Sequence, residues 1–103
     1  MAKGYWIAHG RVDDPEGYDA YRRANAAPLA AHGGRFLVRG GAREVPEGDA
    51  KPRSVVIEFP SYEAALACYR SAEYQAAIRL RSGISESDLV ICEGYDGKQP
   101  GEA

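Results

Sequence analysis

Residues 53–80 read RSVVIEFPSYEAALACYRSAEYQAAIRL, and a change of rhythm inside this stretch decides the fold. From Arg53 to Phe59 the chain has the β-branched and aromatic make-up of a short strand. From Ser61 to Leu80 it turns alanine-rich, with larger apolar residues recurring at helical spacing. Leu89 to Tyr95 is a second apolar run, so this half of the chain reads β-α-β. Toward the N-terminus the same order occurs once more, in Tyr5 to Gly10, Asp14 to His32 and Gly34 to Gly40. A chain that reads β-α-β twice is expected to be α+β, a ferredoxin-like βαββαβ sandwich with its helices on one face of a four-stranded antiparallel sheet. One domain is expected over residues 1–96, with residues 97–103 as a flexible tail lacking apolar periodicity.

Local signals mark the ends of the elements. Asp13, Asp14 and Pro15 supply a cap and a first-turn proline for the first helix, and Gly33-Gly34 stops it. Pro28 lies inside that helix and is expected to bend or divide it, because it removes a backbone donor and crowds the preceding turn. Ser61 caps the second helical region, and Ser71 with Glu73 marks a restart that divides it in two. Gly41 to Pro52, rich in Gly, Pro and charge, is expected to be a mobile hairpin loop.

Composition narrows the function classes. Of 103 residues 45% are hydrophobic and 27% charged, with no apolar run long enough to span a bilayer. A net charge of −2, a pI near 5.7 and scattered arginines argue against a nucleic-acid partner, which requires clustered cations. Cys68 and Cys92 lack metal-ligand spacing and read as small buried hydrophobes in a reducing, cytoplasmic setting. His9 and His32 lie far apart without ligand-spaced partners, so neither a metal nor another cofactor is expected. His32 reads instead as a residue satisfying the last carbonyls of the first helix. The Gly33-Gly34 and Gly40-Gly41 pairs match no phosphate-binding fingerprint and read as turn chemistry. The tyrosines at near-helical spacing, Tyr18 with Tyr21 and Tyr62 with Tyr69 and Tyr74, read as packing residues.

Alternation sorts each strand into two faces. Trp6, Ala8, Phe36, Val38, Val55, Ile57, Phe59, Val90 and Cys92 form an apolar set suited to packing under the helices. The other set mixes apolar and ionisable residues: Tyr5, Ile7, His9, Arg35, Leu37, Arg39, Ser54, Val56, Glu58, Leu89, Ile91 and Glu93. Such a face, apolar in the middle and charged at its ends, suits sheet-to-sheet packing, and a bare sheet on a domain this small is expected to be covered by a second copy in a homodimer. In strand order 4-1-3-2, with the first and third strands taken as parallel, His9 and Glu58 fall at one end with Arg35. Tyr5, Arg39 and Glu93 gather at the other. His9 and Glu58 are therefore the candidate catalytic acid–base pair, and Arg35, Arg39, Tyr5 and Glu93 the candidate binding residues for a small carbonyl or anionic metabolite. The alternative role for these charges is interface pairing, which makes the chain a non-catalytic ligand-sensing or structural dimer.

The segments Gly33-Gly-Arg-Phe-Leu-Val-Arg-Gly-Gly41, Val56-Ile-Glu-Phe-Pro-Ser61 and Tyr69-Arg-Ser-Ala-Glu-Tyr74 resemble the domain-of-unknown-function family DUF1330, over Tyr5 to Gly94. That resemblance implies a dimeric α/β barrel, a superfamily that includes cofactor-free monooxygenases, haem-degrading enzymes, lactone isomerases and ligand sensors. It also implies a second possible pocket, between sheet and helices, to which Trp6, Tyr21, Arg79 and Arg81 would contribute.

Overall fold

The two β-α-β passes are realised in the order β1 (Gly4–Val12), α1 (Pro15–Ala31), β2 (Arg35–Arg39), β3 (Arg53–Phe59), α2 (Tyr62–Arg70), α3 (Ala72–Arg79) and β4 (Ser85–Glu93), in a computed structural model that describes residues 2–102. Asp14 accepts a hydrogen bond from the Gly17 amide, and Pro15 occupies the first turn of α1. Gly33, at φ 75°, ends that helix in a Schellman turn: its amide bonds the Ala30 carbonyl and the Gly34 amide bonds that of Leu29. Pro28 does not divide α1, which runs on to Ala31. Pro28 forgoes the bond to the Ala24 carbonyl one turn back, and the helix continues past it, with the Pro28 carbonyl accepting from His32 and Cys68. The second helical region is divided as its serines predict, with Ser61 capping α2 and Ser71 capping α3.

The sheet order is β2-β3-β1-β4, and every neighbouring pair is antiparallel. The expected parallel alignment of the first and third strands is therefore corrected. The return through α1 makes β1 and β2 run in the same direction, and the reversal between β2 and β3 sets β3 against both. Consequently Tyr5 stands opposite Glu58 and His9 opposite Ser54.

Two face assignments change as well. In β4, Trp6 pairs with Ile91 and Ala8 with Leu89, so Leu89 and Ile91 pack on the core while Val90 and Cys92 join Ile7 and Tyr5 on the open face. Both parities of this strand are apolar, and the larger side chains take the interior. In β2 a bulge makes Val38 the partner of Val56 and Arg39 the partner of Val55, with Leu37 as the extra residue. Val38 thereby moves to the open face and Arg39 to the helix side. From Gly41 to Ala50 the β2–β3 connection takes no regular secondary structure, and each of its residues is exposed.

The core lies between the sheet and the helices. Phe59, Ala65 and Cys68 are fully buried, and Trp6, Ile57, Tyr74 and Ala77 nearly so. Trp6 is its centre: the indole N–H donates to the Ala65 carbonyl at 2.9 Å, and the ring lies 5.1 Å from Phe59 and 4.8 Å from Tyr74 between centroids. The helix-facing side of β1 reads Gly4, Trp6, Ala8, Gly10. Gly4 is required because the chain at Ser61 and Tyr62, where α2 begins, crosses directly over it, in the place a Cβ would occupy. Gly4→Ala is thus expected to cost about 1–3 kcal/mol through overpacking at the start of α2. Urea denaturation followed by circular dichroism checks this, with the midpoint falling at unchanged slope.

Candidate functional site

Trp6 fills the helix-facing side of β1, but Ala8 and Gly10, which follow it on that side, do not. The gap over them is a crevice with about 80 Å³ of room for water-sized groups, floored by Ala8, Val55 and Leu89 and walled by Trp6, Tyr18, Tyr21 and Tyr74. A second hollow adjoins it along α1, sharing Trp6, Tyr18, Tyr21 and Arg53 with it and lined further on by Asn25, Phe36 and Arg39. Its wall is an aromatic chain, with centroids 5.1 Å apart for Tyr18 and Tyr21 and 6.3 Å for Tyr21 and Tyr74.

The polar groups of the crevice are phenols, the guanidiniums of Arg53 and Arg81, the hydroxyls of Ser85 and Ser87, and at its mouth the Glu86 carboxylate, which Arg11 pairs at 2.9 Å. The Tyr21 and Tyr74 hydroxyls are hydrogen-bonded at 2.6 Å. Because one of them donates to the other, the hydrogen of the acceptor stays available to a ligand. Arg81 lies with its guanidinium carbon 5.0 Å from the centre of the Tyr21 ring. Its buried Nε has no hydrogen-bond partner among the described residues, while an Nη1 donates to the Ser87 hydroxyl at 3.4 Å. Arg53 enters from β3 and Arg39 from β2, the latter stacked 4.1 Å from the centre of the Phe36 ring. Among the described residues, none of Arg39, Arg53 and Arg81 has a carboxylate partner, whereas Arg11, Arg22 and Arg35 do.

Protonation follows from this arrangement. Burial pushes the Tyr74 phenol well above its ordinary value of 10.0, and the neighbouring Tyr21 adds to the effect. Burial also raises Tyr18, while Arg53, Arg81 and Arg22 pull it back down, so three guanidiniums act on one hydroxyl. For Arg81 burial works against the charge, but Tyr21 and Tyr74 more than offset it. The fully buried Cys68 thiol is pushed up to about 11 by desolvation, which suits a core residue and not a nucleophile.

The residues singled out from the sequence fall into separate places. On the open face Glu58 accepts from the Tyr5 hydroxyl at 3.2 Å and pairs with Arg35 at 3.5 Å and Lys3 at 3.9 Å. Arg35 is thus beside Glu58 as expected, and Tyr5 joins them. His9 does not. It lies four residues along β1 from Tyr5, about 13 Å at the rise of a strand, and its Nδ1 is 2.9 Å from the Ser54 hydroxyl, which Arg43 also contacts. Lys51 and Asp88 pair close by at this end of the sheet. Glu93 stands exposed opposite Gly4, apart from Arg39. Arg39 lines the adjoining hollow because the bulge turned it. Of the four residues suggested for a pocket between sheet and helices, Trp6, Tyr21 and Arg81 line it, while Arg79, in the last turn of α3, does not. Arg53 went unrecognised, although its signal is in the alternation: it continues the apolar parity of Val55, Ile57 and Phe59 with a cation. Among the described residues no group of His, Cys, Asp and Glu could hold a metal ion.

A domain with this sheet order and these helices on one face is a ferredoxin-like α+β sandwich. The chain is a member of the DUF1330 family, a domain of unknown function, whose pattern it matches over residues 3–95. No curated protein matches it in sequence. Among solved structures it is similar to a protein of unknown function from Rhodopseudomonas palustris, at 19% identity and TM-score 0.73 over 93% of this chain and 85% of that one. It is also similar to SnoaB, a cofactor-independent oxygenase from Streptomyces nogalater, at 14% identity and TM-score 0.62 over 99% and 100% of the two chains. An ethd-family protein from Bacillus halodurans has TM-score 0.53 at 16% identity, over 92% of this chain and all of that one, 100%. At these identities the likeness is one of fold. No helix among the described residues is long and apolar enough to cross a membrane.

Tyr74 gives a pH signature. Its phenol is held neutral in the fold and ionises at its ordinary value when unfolded, so the native state retains a proton that the unfolded chain loses. Stability is therefore expected to fall as the pH rises above about 10, by up to about 1.4 kcal/mol per pH unit from this residue. Thermal melts between pH 8 and 11 check this, and Tyr74→Phe is expected to flatten the decline.

Proposed function

We propose that the crevice between α1 and the sheet binds a small anionic molecule with an aromatic or conjugated body, and that the protein acts on it by acid–base chemistry. The observation that carries this reading is a set of guanidiniums without carboxylate partners, Arg39, Arg53 and Arg81, around an aromatic wall. A pocket with apolar walls and a few convergent polar groups is the usual form of a small-molecule site. The call for an anion is strongest at Arg81, whose buried Nε has no partner among the described residues, since an uncompensated polar or charged group out of water is costly; Arg53 is partly buried and Arg39 exposed. With the ring of the ligand against Trp6 and Tyr21, its anionic group meets Arg81 and the free hydroxyl hydrogen of the Tyr21–Tyr74 pair. The same donors would stabilise an enolate or phenolate formed during proton transfer. The cluster of Glu58, Arg35 and Tyr5 is assigned to the open face as paired charges that fix its register with a partner.

That partner is a second copy. The open face presents Ile7, Leu37, Val38 and Val90, from 37% to 56% exposed, between a charged end at Glu58 and a polar end at His9. Covering such side chains contributes on the order of 1.5–3 kcal/mol each before association costs. The free thiols of Cys68 and Cys92 support a reducing, cytoplasmic setting.

Calorimetric titration with 2-naphthoate and with the uncharged 2-naphthamide tests the site. Only the carboxylate is expected to bind, and Arg81→Met is expected to weaken it at least about tenfold, or about 1.4 kcal/mol. Binding of both compounds, or no effect of the substitution, would remove the crevice as an anion site. Once a physiological ligand is found, its recovery unchanged after long incubation would make the protein a sensor and not an enzyme. For the dimer, sedimentation at micromolar concentration is expected to give twice the chain mass, and Leu37→Asp to give monomer or aggregate.

A further inference from the structure

Building on the crevice as the ligand site, we propose that its ligand is a dianion: a rigid aromatic or conjugated dicarboxylate whose two acid groups reach toward opposite edges of the sheet. The cations are distributed along the crevice and the hollow beside it and not gathered at one end. Arg81 precedes β4 and lies against it through Ser87. Arg39 belongs to β2, the strand at the other edge. Those edges are three strand spacings apart, about 14 Å; Arg81 lines the crevice and Arg39 the adjoining hollow, the two sharing Trp6, Tyr18, Tyr21 and Arg53. Arg53, on β3, lines the crevice midway and is held in place by an absence: Gly40, at φ 67°, has no side chain, and Arg53 occupies the space where a Cβ would be.

The charges decide how many acid groups the ligand carries. Arg39, Arg53 and Arg81 have no carboxylate partner among the described residues, as is also true of Arg23, Arg43, Arg70 and Arg79, and what sets the three apart is that they line the space between sheet and helices. A single carboxylate on Arg81 leaves the guanidiniums of Arg53 and Arg39 uncompensated beside Tyr18 and Phe36. A second carboxylate at that end answers both. Guanidinium forks favour planar, bidentate partners, which points to carboxylates. The rings of Trp6, Tyr18 and Tyr21 between the two ends favour a flat, unsaturated frame over a flexible alkyl chain, which would lose more rotational freedom on binding.

Titration of the full chain with naphthalene-2,6-dicarboxylate and with 2-naphthoate separates the two ideas. The dicarboxylate is expected to bind at least about tenfold more tightly. In Arg39→Met, an exposed position whose replacement leaves the core untouched, the dicarboxylate is expected to lose its advantage over 2-naphthoate when both are measured on that variant. In Arg81→Met both ligands are expected to weaken. Equal affinity of the two ligands for the wild-type chain, with both weakened in Arg81→Met, would overturn the dianion and leave the crevice as the ligand site. Binding of neither ligand, or of both undiminished in Arg81→Met, would overturn the site itself.

Discussion

Trp6 sets the distance on which everything else depends. Its indole reaches from β1 to α2, where the N–H is held on the Ala65 carbonyl, and its ring is shared by Phe59, Tyr69 and Tyr74. A side chain of this size acts as a spacer between the layers. Its successors on the same side of the strand, Ala8 and Gly10, are too small to occupy the gap it maintains. The crevice is the difference in volume between a tryptophan and the residues after it. At the other end of β1 the chain does the opposite, using Gly4 to let the start of α2 close down onto the sheet.

The groups around this gap would be poor choices for stability alone. A guanidinium with a buried, unpartnered Nε and two phenols bonded chiefly to each other leave hydrogen-bonding capacity unused where core residues would satisfy it. Positions where local rules are broken while the rest of the core obeys them are where function is expected. Here the departures collect at Arg53, Tyr21, Tyr74 and Arg81. The ionisable residues of the open face are instead mutually satisfied, with three donors on Glu58 and a hydroxyl on His9.

The fold was legible because its signals are short-range. The serines at 61 and 71, the aspartate at 14 and the paired glycines at 33 and 34 each act on the next turn of chain, and the structure uses every one of them. Pro28 does not divide α1: what it removes is one bond in the turn before it, and the helix continues to Ala31. The site was legible only in part, because it depends on register. His9 was placed beside Glu58 on an assumed parallel alignment, and the antiparallel one separates them. Leu89 and Val90 cannot be ranked by pattern when both are apolar. The cation at Arg53, by contrast, interrupts an otherwise apolar parity and was readable from the chain.

The bulge in β2 has a wider consequence. Inserting Leu37 exchanges the two sides of the strand for every residue beyond it, so a single codon decides whether the side chain at position 39 lies on the helix side of the sheet or on its open face. Because β2 is an edge strand, such a slip disturbs the ladder on one side only. Relatives that gain or lose one residue here would keep the sheet and its helices yet present a different group between them. A sheet built this way can change the side chains it offers beneath its helices by a length change at its margin, leaving the interior that holds the molecule together untouched.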